Sequence, residues 1–402
     1  MATIAVLGTL DSKGREHAFV AQQIQKLGHT PLLVDVGTLG EPQINPDVSR
    51  EQVLASGAME LPAEEDRGKR VAAMAGALPS FLKKAAESGE IDGIVSLGGG
   101  GGTAIATAGM RALPIGFPKL MVSTLASGNT EHYVGTNDIV MYPSIVDVAG
   151  LNGVSKMIFT RAAGAICGMV DAEIEDSDEK PIVVASMFGN TTECVNSAAT
   201  IFEDHGYEVL VFHSTGVGGR TMESLIASGR VNAVFDVTTT EWADELVGGV
   251  LSAGPTRLDA AREAGLPAIV APGCLDMVNF GEPDTVPPQF EGRNFYHHNP
   301  QVTLMRTNAD ECTRLGQILA EKVNAYTAPV TVLLPLKGIS IISTKGQPFH
   351  DPVADQALFA AIRENLRKDI KIIELENAIN DTEFAAACAE ALLANLNTAS
   401  NS

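Results

Sequence analysis

Five consecutive glycines, Gly98, Gly99, Gly100, Gly101 and Gly102, followed by Thr103, stand between the apolar run Ile94-Val95-Ser96-Leu97 and the helical stretch Ala104-Ile105-Ala106-Thr107-Ala108. Such a junction is predicted to bind an anion. Glycine lets the backbone come close to a ligand, and the unpaired N–H groups and positive dipole end of the following helix favour phosphate or carboxylate. A flexible surface turn is the alternative for the same composition. Three further polar loops follow apolar runs in the first half: Gly8-Thr9-Leu10-Asp11-Ser12-Lys13, Asp35-Val36-Gly37-Thr38 and Ser123-Thr124-Leu125-Ala126-Ser127-Gly128-Asn129. Gly8, Thr9 and the glycine run suit phosphates, Thr124 suits a phosphate oxygen, and Asp35 suits a ribose hydroxyl, an amine or a plain strand-end turn.

The loops of the second half carry more reactive side chains. His213, Glu241 and Asp276 are expected to move protons or hold a divalent metal, while Asn190 and the nest Gly216-Val217-Gly218-Gly219 orient the carboxylate or phosphate of a substrate. His297 and Arg306 belong to or closely follow the Pro-rich stretch 281–300, which is long enough to be a functional loop. For each of these residues a solvated turn or cap is the competing role.

Strands and helices must hold these loops together, and an internal repeat shows how. Ile4-Ala5-Val6-Leu7-Gly8-Thr9, a helical stretch and Leu32-Leu33-Val34-Asp35 align with Ile182-Val183-Val184-Ala185-Ser186-Met187, a helical stretch and Leu210-Val211-Phe212-His213. The next two strands correspond as well, Ile91–Val95 with Val231–Phe235 and Phe117–Val122 with Leu266–Ala271. This pattern predicts an α/β protein of two similar doubly wound, Rossmann-like parallel-sheet domains, residues 1–178 and 181–402, divided near the acidic stretch Glu173–Glu179. In such sheets ligands collect beyond the carboxyl ends of the strands, where all of these loops lie. The separation between Gly28 and Gly206 is 178, that between Gly89 and Gly229 is 140, so the first half holds about 38 extra residues, roughly 39–80. Within them Ser49 is expected to cap one helix, and Glu64-Glu65-Asp66 to open a longer one that Pro79 kinks or ends. Its small face, Ala72, Ala73, Gly76 and Ala77, suits close helix packing within the domain or at a subunit contact.

Composition narrows the function. The 402 residues are 45% hydrophobic, enough for a large core, and the formal net charge is −21 from 28 basic and 49 acidic residues. That balance argues against a nucleic-acid surface, which needs clustered Lys and Arg. No apolar run reaches membrane-spanning length and no signal peptide precedes Ile4, so a cytoplasmic protein with no membrane partner is expected. The five cysteines, Cys167, Cys194, Cys274, Cys312 and Cys388, lack metal-ligand spacing and are expected as buried or reactive thiols. Neither Gly-x-x-x-x-Gly-Lys-Ser/Thr nor Gly-x-Gly-x-x-Gly follows the first strand, which disfavours the standard ATPase and nicotinamide folds.

Taken in order, Gly8–Lys13, Val34–Gly37, Gly98–Thr103, Ser123–Gly128 and Gly135-Thr136-Asn137-Asp138-Ile139 resemble the ATP-binding domain family of the tomato mosaic virus resistance protein and its bacterial relatives. The resemblance covers nearly the whole chain. It implies two Rossmann-like subdomains, a homodimer, and ATP on the N-terminal subdomain with Gly8, Thr9, Asp11, Lys13, Asp35, Gly37, Gly98–Thr103, Ser123, Thr124 and Asp138 around it; Mg²⁺ accompanies the nucleotide. The leading expectation is an ATP-binding enzyme acting on a small anionic metabolite held between the domains, by phosphoryl transfer or ATP-assisted carbon chemistry. A non-catalytic nucleotide-stabilised dimer and an ATP-independent hydrolase or lyase are the alternatives.

Overall fold

The computed structural model describes residues 1–63, 66–173 and 180–400. It contains two compact units, Met1–Asp176 and Ser177–Ser402. Their junction, with Glu64 and Glu65, lies outside the described residues.

The first unit is a five-stranded parallel sheet. Its strands are β1 (Thr3–Gly8), β2 (Thr30–Asp35), β3 (Gly93–Gly98), β4 (Lys119–Ser123) and β5 (Val140–Pro143), in the order β2-β1-β3-β4-β5. Helices α1 (Leu10–Lys26), α2 (Arg50–Ser56), α3 (Arg67–Glu87), α4 (Gly100–Met110), α5 (Glu131–Val134) and α6 (Gly153–Asp171) complete it. Alternation along β1 sorts the faces: Ile4 and Val6 pack with Val20, Ile24, Phe159 and Ile166 from α1 and α6, while Ala5 and Leu7 pack with Met74, Leu78, Ile105 and Met110 from α3 and α4. Because β1 is central and the chain leaves it in opposite directions toward β2 and β3, the loops after β1 and β3 diverge at a topological switch point, where such folds bind ligands.

The 39–80 insertion meets one expectation and departs from another. Ser49 does cap α2, its Oγ accepting from Gln52 N at 3.4 Å while Gln52 Oε1 accepts from Ser49 N at 2.8 Å. Helix α3, however, runs through Pro79 to Glu87, past the expected boundary. Met74, Ala77, Leu78, Leu82 and Ala85 bury one face of α3, and this packing offsets the single hydrogen bond that proline removes. Of the small face, Ala77 serves that packing while Ala72 and Gly76 are exposed: a Cβ on Gly57 would come within 2.5 Å of Ala77 Cα, and one on Gly109 within 2.6 Å of the neighbouring Leu78.

The second unit repeats the plan with a sixth parallel strand. Strands β6 (Ile182–Met187), β7 (Glu208–His213), β8 (Ala233–Thr238) and β9 (Ala268–Gly273) precede an antiparallel trio, β10 (Met277–Phe280), β11 (Phe295–Asn299) and β12 (Val302–Arg306). Strands β13 (Val330–Pro335) and β14 (Lys371–Leu375) finish the main sheet, ordered β14-β13-β9-β8-β6-β7. The faces are covered by α7 (Thr192–Asp204), α8 (Val217–Ala227), α9 (Glu241–Val247), α10 (Asp259–Glu263), α11 (Ala309–Asn324), α12 (Pro352–Asn365) and α13 (Thr382–Ser400). Residues 281–300 are thus not one irregular loop: prolines start two short 3₁₀ turns, Pro283–Thr285 and Pro288–Phe290, and Phe295–Asn299 then pairs with β12.

Candidate functional site

At the switch point of the first unit, the loop after β1, the start of α4 and the insertion enclose a pocket of about 170 Å³. Thr9, Asp11, Ser12 and Lys13 line it from α1, Thr38 and Leu39 from the stretch after β2, Arg67 and Val71 from α3, and Gly99, Gly100, Gly101, Gly102 and Ile105 from α4. The run after β3 folds as the sequence indicated. Gly99 is the N-cap of the 11-residue α4 and supplies no side-chain cap, so the first N–H groups of that helix lack an internal side-chain acceptor. Two basic residues, Lys13 and Arg67, line the same pocket as this helix start. The backbone of α1 departs from helical geometry at Lys13 (φ −130°, ψ 27°), and the Lys13 ammonium donates to Val148 O. The Arg67 guanidinium lies 3.6 Å from where a Cβ on Gly101 would stand.

The glycines divide into two kinds. A Cβ on Gly99, Gly100, Gly101 or Gly102 would meet only ordinary contacts at 3.6–3.9 Å, so no protein atom claims the space beside them. Gly98 instead packs against Gly102, at 3.1 Å for a built Cβ. Gly8 is glycine because the His17 ring lies 2.3 Å from its would-be Cβ, and Gly37 because Asp11 and Asp35 lie within 2.8–3.0 Å. The last two therefore serve internal packing. Burial of His17 lowers its pKa and keeps the ring neutral beneath the loop.

Several expected contacts are used within the unit. Asp35 is buried, its Oδ1 accepting from Leu10 N and Gly37 N and its Oδ2 paired with Arg50 at 2.8 Å, so it braces the loop and leaves no room for a ribose. Thr103 and Ser123 share a 2.7 Å hydroxyl–hydroxyl bond, and Ser123 Oγ also accepts from Leu125 N. Thr124 N donates to Gly98 O, which leaves its hydroxyl beside Gly99. Asp11 Oδ2 accepts from Thr38 N and Leu39 N at 3.1 and 2.9 Å, and Asp11 is the pocket's one lining carboxylate among the described residues. Asp138 is a correction: it pairs with Lys119 at 2.6 Å and accepts from Gly116 N, at the amino ends of β4 and β5, the edge opposite the glycine run. Arg67 was not anticipated. Its signal was present, since α3 opens on Arg67, Lys69 and Arg70 with no acidic residue in its first turn, against the helix dipole.

The second unit keeps its charges inside. The expected nest is filled by the protein: Glu241 Oε1 accepts from Gly216 N at 2.8 Å and Gly219 N at 3.0 Å, and Oε2 pairs with Arg257 Nε at 2.7 Å. Gly219 is glycine for this carboxylate, 2.1 Å from its would-be Cβ, and Gly218 for His213 O at 1.8 Å. Arg257, fully buried, also grips Asp236 at 2.5 and 2.7 Å and reaches Glu223 at 3.2 Å. Glu241 is consequently a structural counter-ion, correcting its expected catalytic role. Asp276 is also buried; burial raises its pKa, while Arg306 and the hydrogen bond that Ser340 Oγ donates to it at 2.8 Å oppose the shift. Arg306 in turn pairs with Asp355 at 2.5 Å and donates to Phe349 O, so it offers no hand to a substrate. His213 is exposed at the end of edge strand β7, in edge contact with Phe188 at 5.4 Å. Asn190 Nδ2 points at Met277 Sδ, 3.7 Å away, and its carbonyl accepts from Asn380. His297 lies on a separate surface pocket of about 230 Å³ with Val286, Phe295 and three prolines. The expected constellation of His213, Glu241 and Asp276 is therefore not assembled. All five cysteines are buried thiols, and no cluster of three or more His, Cys, Asp or Glu suits a metal among the described residues. No described helix is long and apolar enough to cross a membrane.

Known proteins resemble this sequence over most of its length. A UPF0261 protein of Clostridium tetani is 47% identical over 395 residues, 97% of this chain and 98% of its own. One of Rhizobium meliloti is 45% identical over 397 residues, again 97% and 98%. The ToMV resistance protein Tm-1(GCR237) of Solanum lycopersicum is 43% identical over 337 residues, 81% of this chain and 44% of its own length. The N-terminal domain of the uncharacterised protein family UPF0261 matches residues 2–175 and the C-terminal domain of the same family matches residues 180–396, so the chain belongs to that family.

Proposed function

We propose that the first unit binds the phosphates of a nucleotide, ATP with Mg²⁺, at the β1/β3 switch point. One observation carries this reading: the start of α4, Lys13 and Arg67 converge on a single pocket whose glycine wall no protein atom fills. The donor set fits an accompanying Mg²⁺ only sparsely. Asp11 uses Oδ2 on two backbone N–H groups and would offer Oδ1, with phosphate oxygens and water completing the shell, as this ion prefers. Acid–base catalysis by the second unit forms no part of the proposal, because Glu241 and Asp276 are buried and engaged.

Calorimetry with ATP and Mg²⁺ tests it on the full chain. Gly100→Asp should stay folded, since a Cβ there meets only Leu125 at 3.9 Å and an acidic residue suits a helix start. Its carboxylate would repel phosphate, so affinity should fall by about tenfold or more, each ~1.4 kcal/mol being one decade. Arg67→Ala should weaken binding as well. Unchanged affinity in both variants would remove the pocket from consideration.

A homodimer is proposed through another face than α3. Edge strand β5 and the following stretch expose Ile145, Leu151, Val154 and Met157, at 73, 38, 39 and 44% of their surface. Ile145 also holds φ +64°, a conformation a β-branched residue rarely adopts. Between Val140 and Met169 the one carboxylate is Asp147, in a chain of net charge −21, so two copies could meet there without the repulsion other faces would bring.

A further inference from the structure

A second depression adjoins the phosphate pocket across the wall formed by Gly99, Gly100, Thr124 and Leu125. Thr124, Leu125, Ser127, Gly128, Asn129, His132 and Tyr133 line it, and it measures about 310 Å³. The contact between the two is direct: Leu125 Cδ1 stands 3.9 Å from a Cβ on Gly100, and Thr124 Oγ1 stands 3.7 Å from one on Gly99. Their relative position is fixed, because Ser123 Oγ bonds both Thr103 of α4 and Leu125 N of the loop.

We infer that this depression receives the base of the bound nucleotide, stacked on Tyr133 and His132; the inference rests on the phosphate reading above. The two rings sit 4.0 Å apart, tilted by 43°, and form an aromatic ledge beside the aliphatic Leu125. The phosphate pocket has no aromatic lining residue, and the β2 side, where many such folds place the ribose, is closed by Asp35 and Arg50. Stacking on an aromatic face holds a base irrespective of its identity. Asn129, also in the lining, would add selectivity: its Oδ1 accepts from Glu131 N, and its Nδ2 is the donor that an acceptor atom on a base edge would use. Arg111 holds the ledge by its backbone, donating to His132 O and Tyr133 O, so the rings can be changed without losing the loop.

Calorimetry on the full chain with ATP and with inorganic tripolyphosphate, each with Mg²⁺, separates the two ideas. ATP should bind the wild type more tightly than tripolyphosphate. Tyr133→Ala should lower ATP affinity by about tenfold, a typical stacking contribution, with tripolyphosphate affinity unchanged and Tyr133→Phe restoring ATP binding. Tripolyphosphate binding as tightly as ATP, or Tyr133→Ala weakening both alike, would overturn the base site and leave the phosphate pocket standing. Binding of neither probe would overturn both. Photolabelling with 8-azido-ATP gives an independent check: label within Thr124–Tyr133 is expected, and label confined to other peptides would refute the assignment.

Discussion

Gly100 and Gly219 look alike in the sequence and do opposite work. Beside Gly100 the chain leaves space, whereas beside Gly219 it has already placed the Glu241 carboxylate, 2.1 Å from a built Cβ. The N–H groups that would cradle a phosphate in the second unit hold a side chain that mimics one. Glu241→Gln should therefore act on stability before anything else. Its amide nitrogen would confront N–H donors or Arg257, and breaking a buried charge pair costs roughly 3–5 kcal/mol. Urea denaturation followed by Trp242 fluorescence, the chain's one tryptophan, should show the loss directly. A variant as stable as wild type would return Glu241 to the list of candidate bases.

Among elements, α9 and the strand it meets carry a titration. Burial, with the nearby Glu241 adding to it, pushes the Asp244 carboxyl up to about 7, although Asn279 and Leu251 donate hydrogen bonds that oppose the shift. Because the folded pKa lies above the unfolded value near 4, the folded state holds this proton more tightly. The resulting stability is complete below about pH 4 and is lost as pH rises toward 7. Thermal unfolding should accordingly show a contribution that declines from pH 5 to 7, and Asp244→Asn should flatten it. Asparagine fits, since Asn279 Oδ1 lacks a partner and can accept from the new amide once its own amide flips. An unaltered pH profile in that variant would assign the slope elsewhere. Asp355, pushed up to about 6 by burial against the pull of Arg306, adds to the same decline.

For the whole molecule, the proposed face around β5 makes self-association testable. Ile145→Glu with Met157→Glu should shift the light-scattering mass from dimer to monomer, because buried charges in an apolar interface are costly. Ala73→Arg on α3 should leave the mass unaltered, since Ala77, the buried residue of that helix's small face, packs against Gly57 of its own unit and the proposed interface lies around β5. The reverse pattern would restore the insertion as the interface.

The sequence by itself determined the two parallel sheets, because fully buried strands such as Gly93–Gly98 and Ala268–Gly273 must be apolar runs and helices must follow them. It also marked the α4 start, since a glycine N-cap has no side chain with which to fill the helix end beside its strand. Tertiary structure decided which polar groups were spoken for. Asp35, Asp138, Asp276, Arg306 and Glu241 met partners 15 to 64 residues away in sequence, and Asp138 met Lys119 at the sheet edge opposite the glycine run. Local pattern cannot distinguish a carboxylate waiting for a ligand from one already bound to a buried arginine. That difference depends on long-range packing, in which an unpaired buried charge is too costly to persist.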